Sequence, residues 1–338
     1  MNHIAKSFFV AACLSVASFR VAAADTVVLK FAPFASPGQA AYEQFYKPWA
    51  EKVTADSNGA LTIDLRGGTS IVNNQNVYDR VMNDVVQIGF VLFNYVAGKF
   101  PFAEVGALPN LADSSEHGSD ALWRLYQSGV LDSEFDQARP LMLIGLPQSI
   151  VHLTKAPKSL KDLTGTRIVG PTQLTALAAQ HMGAQPITLS SPEAYEAMNR
   201  GTADGTILSW NVYFSFKIGE VAHYHIDQPM GTAAGMIFMS RKRYDALPAA
   251  VKETLDRNSG RATSRTWGKW WDGDNNHNRE AAKADSKQTV VTLDAETHAA
   301  WQKRLDGAIA EWSKSRPGVE KIIAQYRQLL AETKPATP

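Results

Sequence analysis

Two successions of apolar strand, turn and helix constrain the fold of this chain more than any other feature of its sequence. The first runs from TVVLKFAPF through LTIDLRGGT to QIGFVLFNYV, with aromatic and aliphatic residues at helical spacing in the segments between these strands. The order strand, helix, strand, helix, strand predicts a parallel sheet with helices on both faces. The second succession begins near residue 146 and continues through KSLKDLTGTRIVG. The sequence therefore predicts an α/β protein of two lobes.

A long helical segment follows the second succession. From residue 248, PAAVKETLDRNSGRATSRTWGKWWDGDNNHNREAAKADSKQ is mostly helical over an unusual length, and such a helix often spans two lobes. The strand before it, MGTAAGMIFMS, is expected to return to the first lobe. We therefore assign residues 25-145 and about 233-270 to the first lobe. The second lobe would comprise residues 146-232 and about 271-338, including the C-terminal helices.

Residues 1-24 have the order of a secretory signal peptide. Lys6 precedes an apolar run from Ser7 to Phe19, and Ala22 to Ala24 form a cleavage site of the A-x-A type. The run is shorter than the roughly 20 residues of a membrane span, so we expect a soluble, periplasmic protein without direct membrane insertion. One alternative stays open, in which VAAC is a lipoprotein box and Cys13 is acylated.

Cleavage after Ala24 would change both the cysteine content and the charge of the chain. The one cysteine would leave, so neither disulfides nor thiolate chemistry is expected. Loss of Lys6 and Arg20 lowers Lys plus Arg from 34 to 32 against 33 acidic residues, a net charge near minus one. Such a balance favours neither nucleic acid nor an anionic membrane as a partner.

Five stretches, in the same order along the chain, resemble one protein family. They are YVAGKFPFAEVGALPNL, SLKDLTGTRIVGP, MGAQPITLSSPEAYEAMNRGTADGT, KIGEVAHYHID and MSRKRYDALPAAVKETLD. With them the chain resembles the solute-binding subunits of TRAP (tripartite ATP-independent periplasmic) transporters, of the DctP type. The resemblance implies a two-lobed periplasmic-binding-protein-like fold, with a long helix spanning both lobes and a cleft that closes on one small ligand, usually an organic acid. It also implies delivery of that ligand to separate membrane permease subunits.

The sequence departs from this family at the position that usually holds the ligand. Most members carry an arginine where this chain has Val169, and that arginine forms a two-pronged salt bridge with the ligand's carboxylate. Arg167 lies on the same strand face as Val169 and could supply the charge instead. Alternatively, Arg167 is a partly exposed edge residue. Ser191 and Leu208 also replace usual ligand contacts, so we expect the ligand, or its pose, to differ from the sialic-acid and C4-dicarboxylate members.

Candidate binding residues follow from the ends of the predicted strands, which face the cleft of an open α/β sheet. The set is Phe34, Phe93, Asn94, Gln148, Arg167, Trp210, Asn211 and Tyr213. Asn94 can both donate and accept a hydrogen bond, and Trp210 can stack on a flat ligand. The alternatives are that Asn94 is a turn residue and that Trp210 packs at the hinge. The aromatic residues favour an aromatic or apolar monocarboxylate, with a sugar acid or other polar solute as the alternative.

Three further motifs are interpreted as structural. Helical spacing of Trp267, Trp270 and Trp271 favours packing in the core over a ligand cage. DGDNNHN opens like a calcium loop but has His277 at position six, where glycine is required. His223 and His225 share a strand face without a third ligand nearby in sequence. No metal and no cofactor is therefore expected.

The chain lacks the common catalytic signatures. None of G-x-S-x-G, H-E-x-x-H, G-x-G-x-x-G or a Walker loop occurs. We therefore expect a binding protein and not an enzyme, with a ligand-binding sensor component as an alternative to transport and a periplasmic enzyme as a less favoured one. The protein is expected to be a monomer.

Overall fold

A computed structural model describes residues 26–96 and 98–333. The predicted signal peptide, with Cys13, lies outside the described residues. The strands are β1 (Val27–Ala32), β2 (Leu61–Leu65), β3 (Ile88–Leu92), β4 (Ala138–Gly145), β5 (Ile150–Leu153), β6 (Arg167–Val169), β7 (Gln185–Ile187), β8 (Gly205–Leu208), β9 (Tyr224–Ile226), β10 (Ala234–Ser240) and β11 (Thr289–Val291). The α-helices are α1 (Lys47–Asp56), α2 (Val77–Met82), α3 (Ser115–Gln127), α4 (Gln173–His181), α5 (Ser191–Asn199), α6 (Trp210–Ser215), α7 (Arg241–Asp245), α8 (Ala249–Arg257), α9 (Arg261–Ala284), α10 (Ala295–Lys314) and α11 (Val319–Glu332).

The first sheet contains five strands in the order β2-β1-β3-β10-β4. β1 is parallel to both β2 and β3, as the first succession of strands and helices predicts. β10 lies antiparallel between β3 and β4. The strand expected to return to the first lobe therefore does so, and it enters the interior of the sheet.

The second sheet contains six strands in the order β11-β9-β5-β8-β6-β7. The stretch RPLMLIGLPQSIVHLT forms two strands, β4 in the first sheet and β5 in the second. Pro147, which has no N–H to donate to a ladder, lies between them. Here the chain pairs with its own return crossing, because the N–H of Leu146 donates to the carbonyl of Ala233 (2.9 Å) and that of Ser149 to the carbonyl of Gly231 (2.9 Å). Two antiparallel crossings therefore form the hinge.

The long helix α9 packs against elements of both lobes, namely α3 and β4 on one side and α6 and β11 on the other. Its side chains cap a helix in each lobe. The Asp272 carboxylate accepts hydrogen bonds from the backbone N–H groups of Ser115 (2.7 Å) and Glu116 (2.8 Å) at the start of α3. Asn275 accepts one from the N–H of Trp210 at the start of α6 (2.9 Å). These caps satisfy backbone donors that a helix leaves unpaired at its N-terminus.

The C-terminal helices divide between the lobes, which differs from the assignment of all residues after 271 to the second lobe. α10 packs against α4, whereas α11 packs against α3 of the first lobe. The Tyr326 hydroxyl donates to the carbonyl of Gly118 (3.1 Å), and Nε2 of His117 donates to the carbonyl of Leu330 (2.8 Å). Amphipathic spacing predicts the helix but not the surface that its apolar face will cover.

Apolar side chains cover both faces of each sheet, as is usual for sheets with parallel strands. In the second sheet, Ile168 belongs to one core cluster and Val169 to the cluster on the opposite face. Val169 is fully buried. Among the described helices, none combines the length and apolar character needed to cross a membrane.

Candidate functional site

A cavity of about 730 Å³ lies between the two sheets. The first lobe contributes the loop after β1, the loop before α2 and the end of β3. The second lobe contributes the start of α5 and one face of α6, and the hinge contributes Leu146 and Pro147. Residues of α9 complete the wall. The position matches the usual ligand site of α/β lobes, which is the crevice outside the ends of the strands.

Aromatic rings from both lobes and α9 line the cavity. Trp270 and Trp271 meet edge to face, with ring centroids 4.8 Å apart and an interplanar angle of 71°. Phe34 stacks on Phe90 at 4.9 Å and 21°. Phe216 lines the cavity from the second lobe. These rings give the site a large apolar surface, suited to a flat ligand.

All three α9 tryptophans pack in or against the core of the first lobe, as interpreted, but two of them also line the cavity. Trp267 is fully buried and stacks on Phe45, with centroids 5.6 Å apart. Trp270 and Trp271 lie one turn further along, where α9 passes from the first lobe over the gap, and they line the cavity. The indole Nε1 of Trp271 has no hydrogen-bond partner within the part of the chain that the structure describes.

Polar groups on the wall are mostly neutral hydroxyls and amides. Ser209 donates a hydrogen bond from its hydroxyl to Oδ1 of Asn211 (2.6 Å). Ser190 and Ser191 lie at the start of α5, where Ser190 and Glu193 form a capping box. Thr69 and Asn73 face the cavity from the first lobe. Such groups can donate to a carboxylate or to another oxygen-rich ligand.

The charge on the wall is unexpected for a site that binds an organic acid. Among the described lining residues there is no lysine, arginine or histidine, and Asp274 is the only carboxyl group. Burial raises the pKa of Asp274, while the nearby His277 acts in the opposite direction. The two-pronged arginine clamp has no counterpart among these residues.

Phe34 and Asn211 are the two candidate residues that the structure places on the cavity wall. Phe34 is only partly buried, and Asn211 presents its side chain from the first turn of α6. Their role as ligand contacts stays a prediction. Ser191, at the position of a usual aromatic contact, also lies on the wall.

Phe93 and Asn94 are not on the wall, although their neighbour Tyr95 is. Residues Phe93–Tyr95 form a 3₁₀ turn, in which successive side chains point about 120° apart. Phe93 is therefore directed into the core, where its ring lies 4.8 Å from that of Phe100. The strand was predicted to continue through this segment, and its early end explains the error.

Trp210 and Tyr213 are buried beneath α6 and do not line the cavity. The cavity is lined instead by Asn211, Val212, Ser215 and Phe216. Residues three apart share a helix face, so Trp210 and Tyr213 point together to the inner side. There they enclose His152, with ring centroids 5.0 Å and 4.8 Å away. In the structure Trp210 is therefore a packing residue beneath α6, in contact with His152.

Gln148 belongs to the hinge and not to the wall. Its Nε2 donates to the carbonyl of Leu108 (3.3 Å), and its Oε1 accepts from the N–H of Gly231 (3.1 Å). Both ends of the amide are therefore used to join the two crossings to the first lobe. Its neighbour Pro147 lines the cavity.

Arg167 lies at the start of β6, away from the cavity, and pairs with Asp204. Its Nε and Nη2 donate to the two carboxylate oxygens of Asp204, both at 2.9 Å, and Nη2 also donates to the carbonyl of Gly201 (2.7 Å). This guanidinium lowers the pKa of Asp204 below its ordinary value. The Arg167 side chain is 41% exposed. The clamp hypothesis is therefore wrong in its placement, and the alternative of a partly exposed edge residue describes the structure.

Of the two histidines considered for a metal, His223 is exposed and His225 has other partners. His225 contacts His152, with their Nδ1 atoms 2.9 Å apart, and its Nε2 lies 3.0 Å from Oε1 of Gln288. DGDNNHN is part of the continuous helix α9 and not a loop. Within residues 26–96 and 98–333, no group of three or more His, Cys, Asp or Glu side chains could hold a metal ion.

The residues that sequence reasoning missed lie mainly on α9. Trp270, Trp271 and Asp274 are one turn apart on a helix that was expected to span both lobes. A helix that crosses a cleft must expose part of one face to it. An aromatic pair followed one turn later by an acid is a signal that could have identified this face.

Comparisons with known proteins agree with this architecture. Residues 31–315 match the sequence profile of DctP, described as bacterial extracellular solute-binding protein, family 7. A TRAP solute-binding protein from a marine metagenome, described as specific for aromatic acid ligands and solved with metahydroxyphenylacetate, is 27% identical. Its TM-score is 0.84, and the match covers 91% of this chain and 100% of that chain.

Two further relatives are similar. A TRAP solute-binding protein from Rhodoferax ferrireducens, solved with copurified benzoate, has a TM-score of 0.82 and 27% identity over 91% of this chain and 98% of that one. A solute-binding protein of Albidiferax ferrireducens is 23% identical over 219 residues, which cover 63% of this chain and 64% of that protein. The aligned region thus spans less than two thirds of this last relative's length.

Proposed function

Because this chain belongs to family 7 of the bacterial extracellular solute-binding proteins, the DctP family of TRAP transporters, we propose that it binds an aromatic monocarboxylate in the cavity between its lobes. The observation that carries the proposal is the aromatic wall formed by Phe34, Trp270, Trp271 and Phe216. Two similar structures, each 27% identical, hold metahydroxyphenylacetate and benzoate. A wall of this kind and these related ligands favour the same chemical class.

The aromatic rings account for recognition of the ligand's body. Edge-to-face and stacked arrangements are favourable for aromatic pairs, and Trp270 and Trp271 already adopt the former with each other. A benzene ring inserted beside them gains the same kind of contact together with burial of apolar area. Phe216 and Phe34 come from opposite lobes, so closure would bring both towards the ring.

Neutral groups on the wall can contribute hydrogen bonds to the carboxylate in the absence of an arginine. Ser209 and Asn211 lie together on the wall, and Ser190 and Ser191 lie at the start of α5. At the start of α5 the Glu193 carboxylate already accepts from the N–H and the hydroxyl of Ser190, and Pro192 has no N–H. The Ser191 hydroxyl and the side-chain amide of Asn211 are the groups here that can donate to a carboxylate.

The remaining parts of the proposal follow from the family. The protein would be exported through the signal peptide of residues 1-24, act as a monomer in the periplasm, and pass its ligand unchanged to the membrane permease subunits. No catalytic step and no cofactor is proposed. The hinge of two crossings and α9 supplies the connections about which the lobes would close.

A thermal-shift screen of the mature protein, residues 25-338, tests the ligand class. A ligand that binds only the native state stabilises it by RT ln(1 + [L]/Kd), about 2.7 kcal/mol at a ligand concentration of 100 Kd. We expect shifts with benzoate and 3-hydroxybenzoate and none with succinate or glucuronate at equal concentration. Shifts with sugar acids alone would contradict the proposal. Recovery of the bound acid, unaltered, from the denatured complex would support binding without turnover.

A further inference from the structure

Asp274 is the one carboxyl group on a wall that has no basic side chain among its described residues. An organic acid entering this cavity therefore meets a like charge and no opposite one. The inference below rests on the proposed function, because it concerns how this site accepts an anion.

Asp274 is free of the structural role that its neighbour Asp272 has. Asp272 accepts two backbone hydrogen bonds of 2.7 and 2.8 Å at the start of α3. Asp274 accepts one long hydrogen bond, 3.4 Å, from Nδ2 of Asn278 to its Oδ2, near the limit at which such a contact counts as a hydrogen bond. Asp274 lines the cavity together with Trp270 and Trp271 and makes no shorter hydrogen bond within the described residues.

The surroundings of Asp274 offer almost no compensating charge. His277, one turn further along α9, is exposed and is the one cation-forming group that acts on it. α6 contributes no charged residue, and the other ionisable groups on the described wall are Tyr46 and Tyr95. The carboxylates that α3 presents to α9 are already paired: Glu116 with Arg265, and Asp120 with Arg261.

We propose that Asp274 takes up one proton when the acid binds and donates it in a hydrogen bond to the ligand's carboxylate. The ligand enters as an anion, a proton from solution joins the Asp274 carboxylate, and the complex holds one proton between two carboxyl groups. Two carboxylates that share a poorly solvated site cannot both remain ionised. A hydrogen bond from a carboxylic acid to a carboxylate is short and strong. Asp274 thereby replaces the arginine clamp and selects ligands with an acid group within its reach.

Isothermal titration calorimetry with benzoate measures the proton directly. Titrations of the mature protein at pH 8 in HEPES and in Tris, which differ in ionisation enthalpy, give the number of protons taken up. We expect a value close to one. We also expect the Kd to weaken by about tenfold for each pH unit above the pKa of the free Asp274. Tight binding of benzoate with no proton uptake and a flat pH profile would overturn the inference while the proposed function stands.

Three variants assign the proton to a residue. Asp274→Asn should bind benzoate with no proton uptake and a flat Kd between pH 6 and 8. Asp306→Asn, which removes an exposed carboxyl on α10 away from the cavity, should keep the wild-type uptake and pH slope. His277→Gln should also keep both. Uptake that persists in Asp274→Asn, or that disappears in His277→Gln, would overturn the assignment.

The failure of the two proposals can be told apart. Absence of binding by benzoate and by 3-hydroxybenzoate at every pH would contradict the proposed function and with it this inference. A melting temperature of Asp274→Asn near that of the wild type establishes that the variant is folded. If it is not folded, the wild-type proton count alone decides the matter.

Discussion

Asn275 on the long helix accepts a hydrogen bond from the backbone N–H of Trp210, at 2.9 Å, and so caps the first turn of α6. The same helix caps α3 of the other lobe through Asp272. It also lines the cavity through Trp270, Trp271 and Asp274. Since α6 forms one wall of the cavity, the contact fixes the wall of one lobe to an element shared by both. We therefore expect Asn275 to contribute both to the stability of the protein and to its affinity for the ligand.

Replacement of Asn275 by alanine should lower the free energy of unfolding by about 1 kcal/mol, the usual effect of a lost N-terminal cap. It should also weaken binding of benzoate, because the start of α6 is no longer held against α9. Urea unfolding and calorimetry measure the two effects. Asn276→Ala is the matched control, since Asn276 is exposed on the same helix. Equal losses in both variants would mean that the cap is not the cause.

Replacement of Trp271 by alanine should weaken benzoate binding by roughly tenfold or more, because an aromatic contact and buried apolar area are lost. Phe214→Ala removes another large ring that is 43% exposed and lies outside the cavity wall, and it should leave the Kd unchanged. Calorimetric Kd values test both. An unaltered Kd in Trp271→Ala would contradict the placement of the ligand beside this residue.

Replacement of Arg167 by alanine should leave the affinity for the acid unchanged. The side chain pairs with Asp204 at the start of β6, and both partners are partly exposed, 41% and 38%, so the loss of stability should be small because solvent screens the pair. Thermal shift with and without benzoate measures both quantities. A loss of the ligand-induced shift would return Arg167 to the binding site.

The buried pair His152 and His225 should make the protein less stable in mild acid. Burial lowers the pKa of His225 to about 4 and that of His152 well below its ordinary value. An unfolded histidine titrates near 6.5, so below that pH the unfolded state binds more protons than the native state, and the stability falls. Each unit of pH between about 6.5 and 4 should cost up to about 1.4 kcal/mol for each histidine.

Urea unfolding at pH 7.5 and at pH 5 tests this dependence. His225→Gln should show a smaller drop between the two pH values than the wild type, whatever its absolute stability. Because the carbonyl of Leu208 can only accept, Nε2 of His152 carries the proton of the neutral ring. An equal drop in both proteins would assign the acid sensitivity to other groups.

The sequence predicts the secondary structure and the two sheets well, because strands buried on both faces and helices with one apolar side leave clear patterns. β10 is an example, because an apolar strand followed by helical segments is expected to lie in the interior of a sheet. The division of RPLMLIGLPQSIVHLT into β4 and β5 is harder to foresee, because both halves are apolar and only Pro147 marks the break.

The site was less predictable, because it depends on which way short helical turns rotate their side chains. Within one 3₁₀ turn, Phe93 points into the core whereas Tyr95 lines the cavity. In the same way, Trp210 is buried whereas Asn211, the next residue of α6, lines the cavity. Strand-end arguments locate the right loops but not the faces within them. Trp271 was assigned to the core because an apolar stripe on a helix looks the same whether it faces a core or a cleft, and Asp274 was considered only as part of a calcium-like loop.

The path of the chain between the two sheets has a consequence for how such a protein can be divided. The chain leaves the first sheet after β4, returns with β10, passes to the second along α9, and comes back to α3 with α11. A single break between β4 and β10 would divide the first sheet, because β10 lies between β3 and β4 in that sheet. Any contiguous segment that contains the whole first sheet, from Val27 to Ser240, therefore also carries β5 to β9 of the second sheet, so the first sheet cannot be exchanged alone as one block.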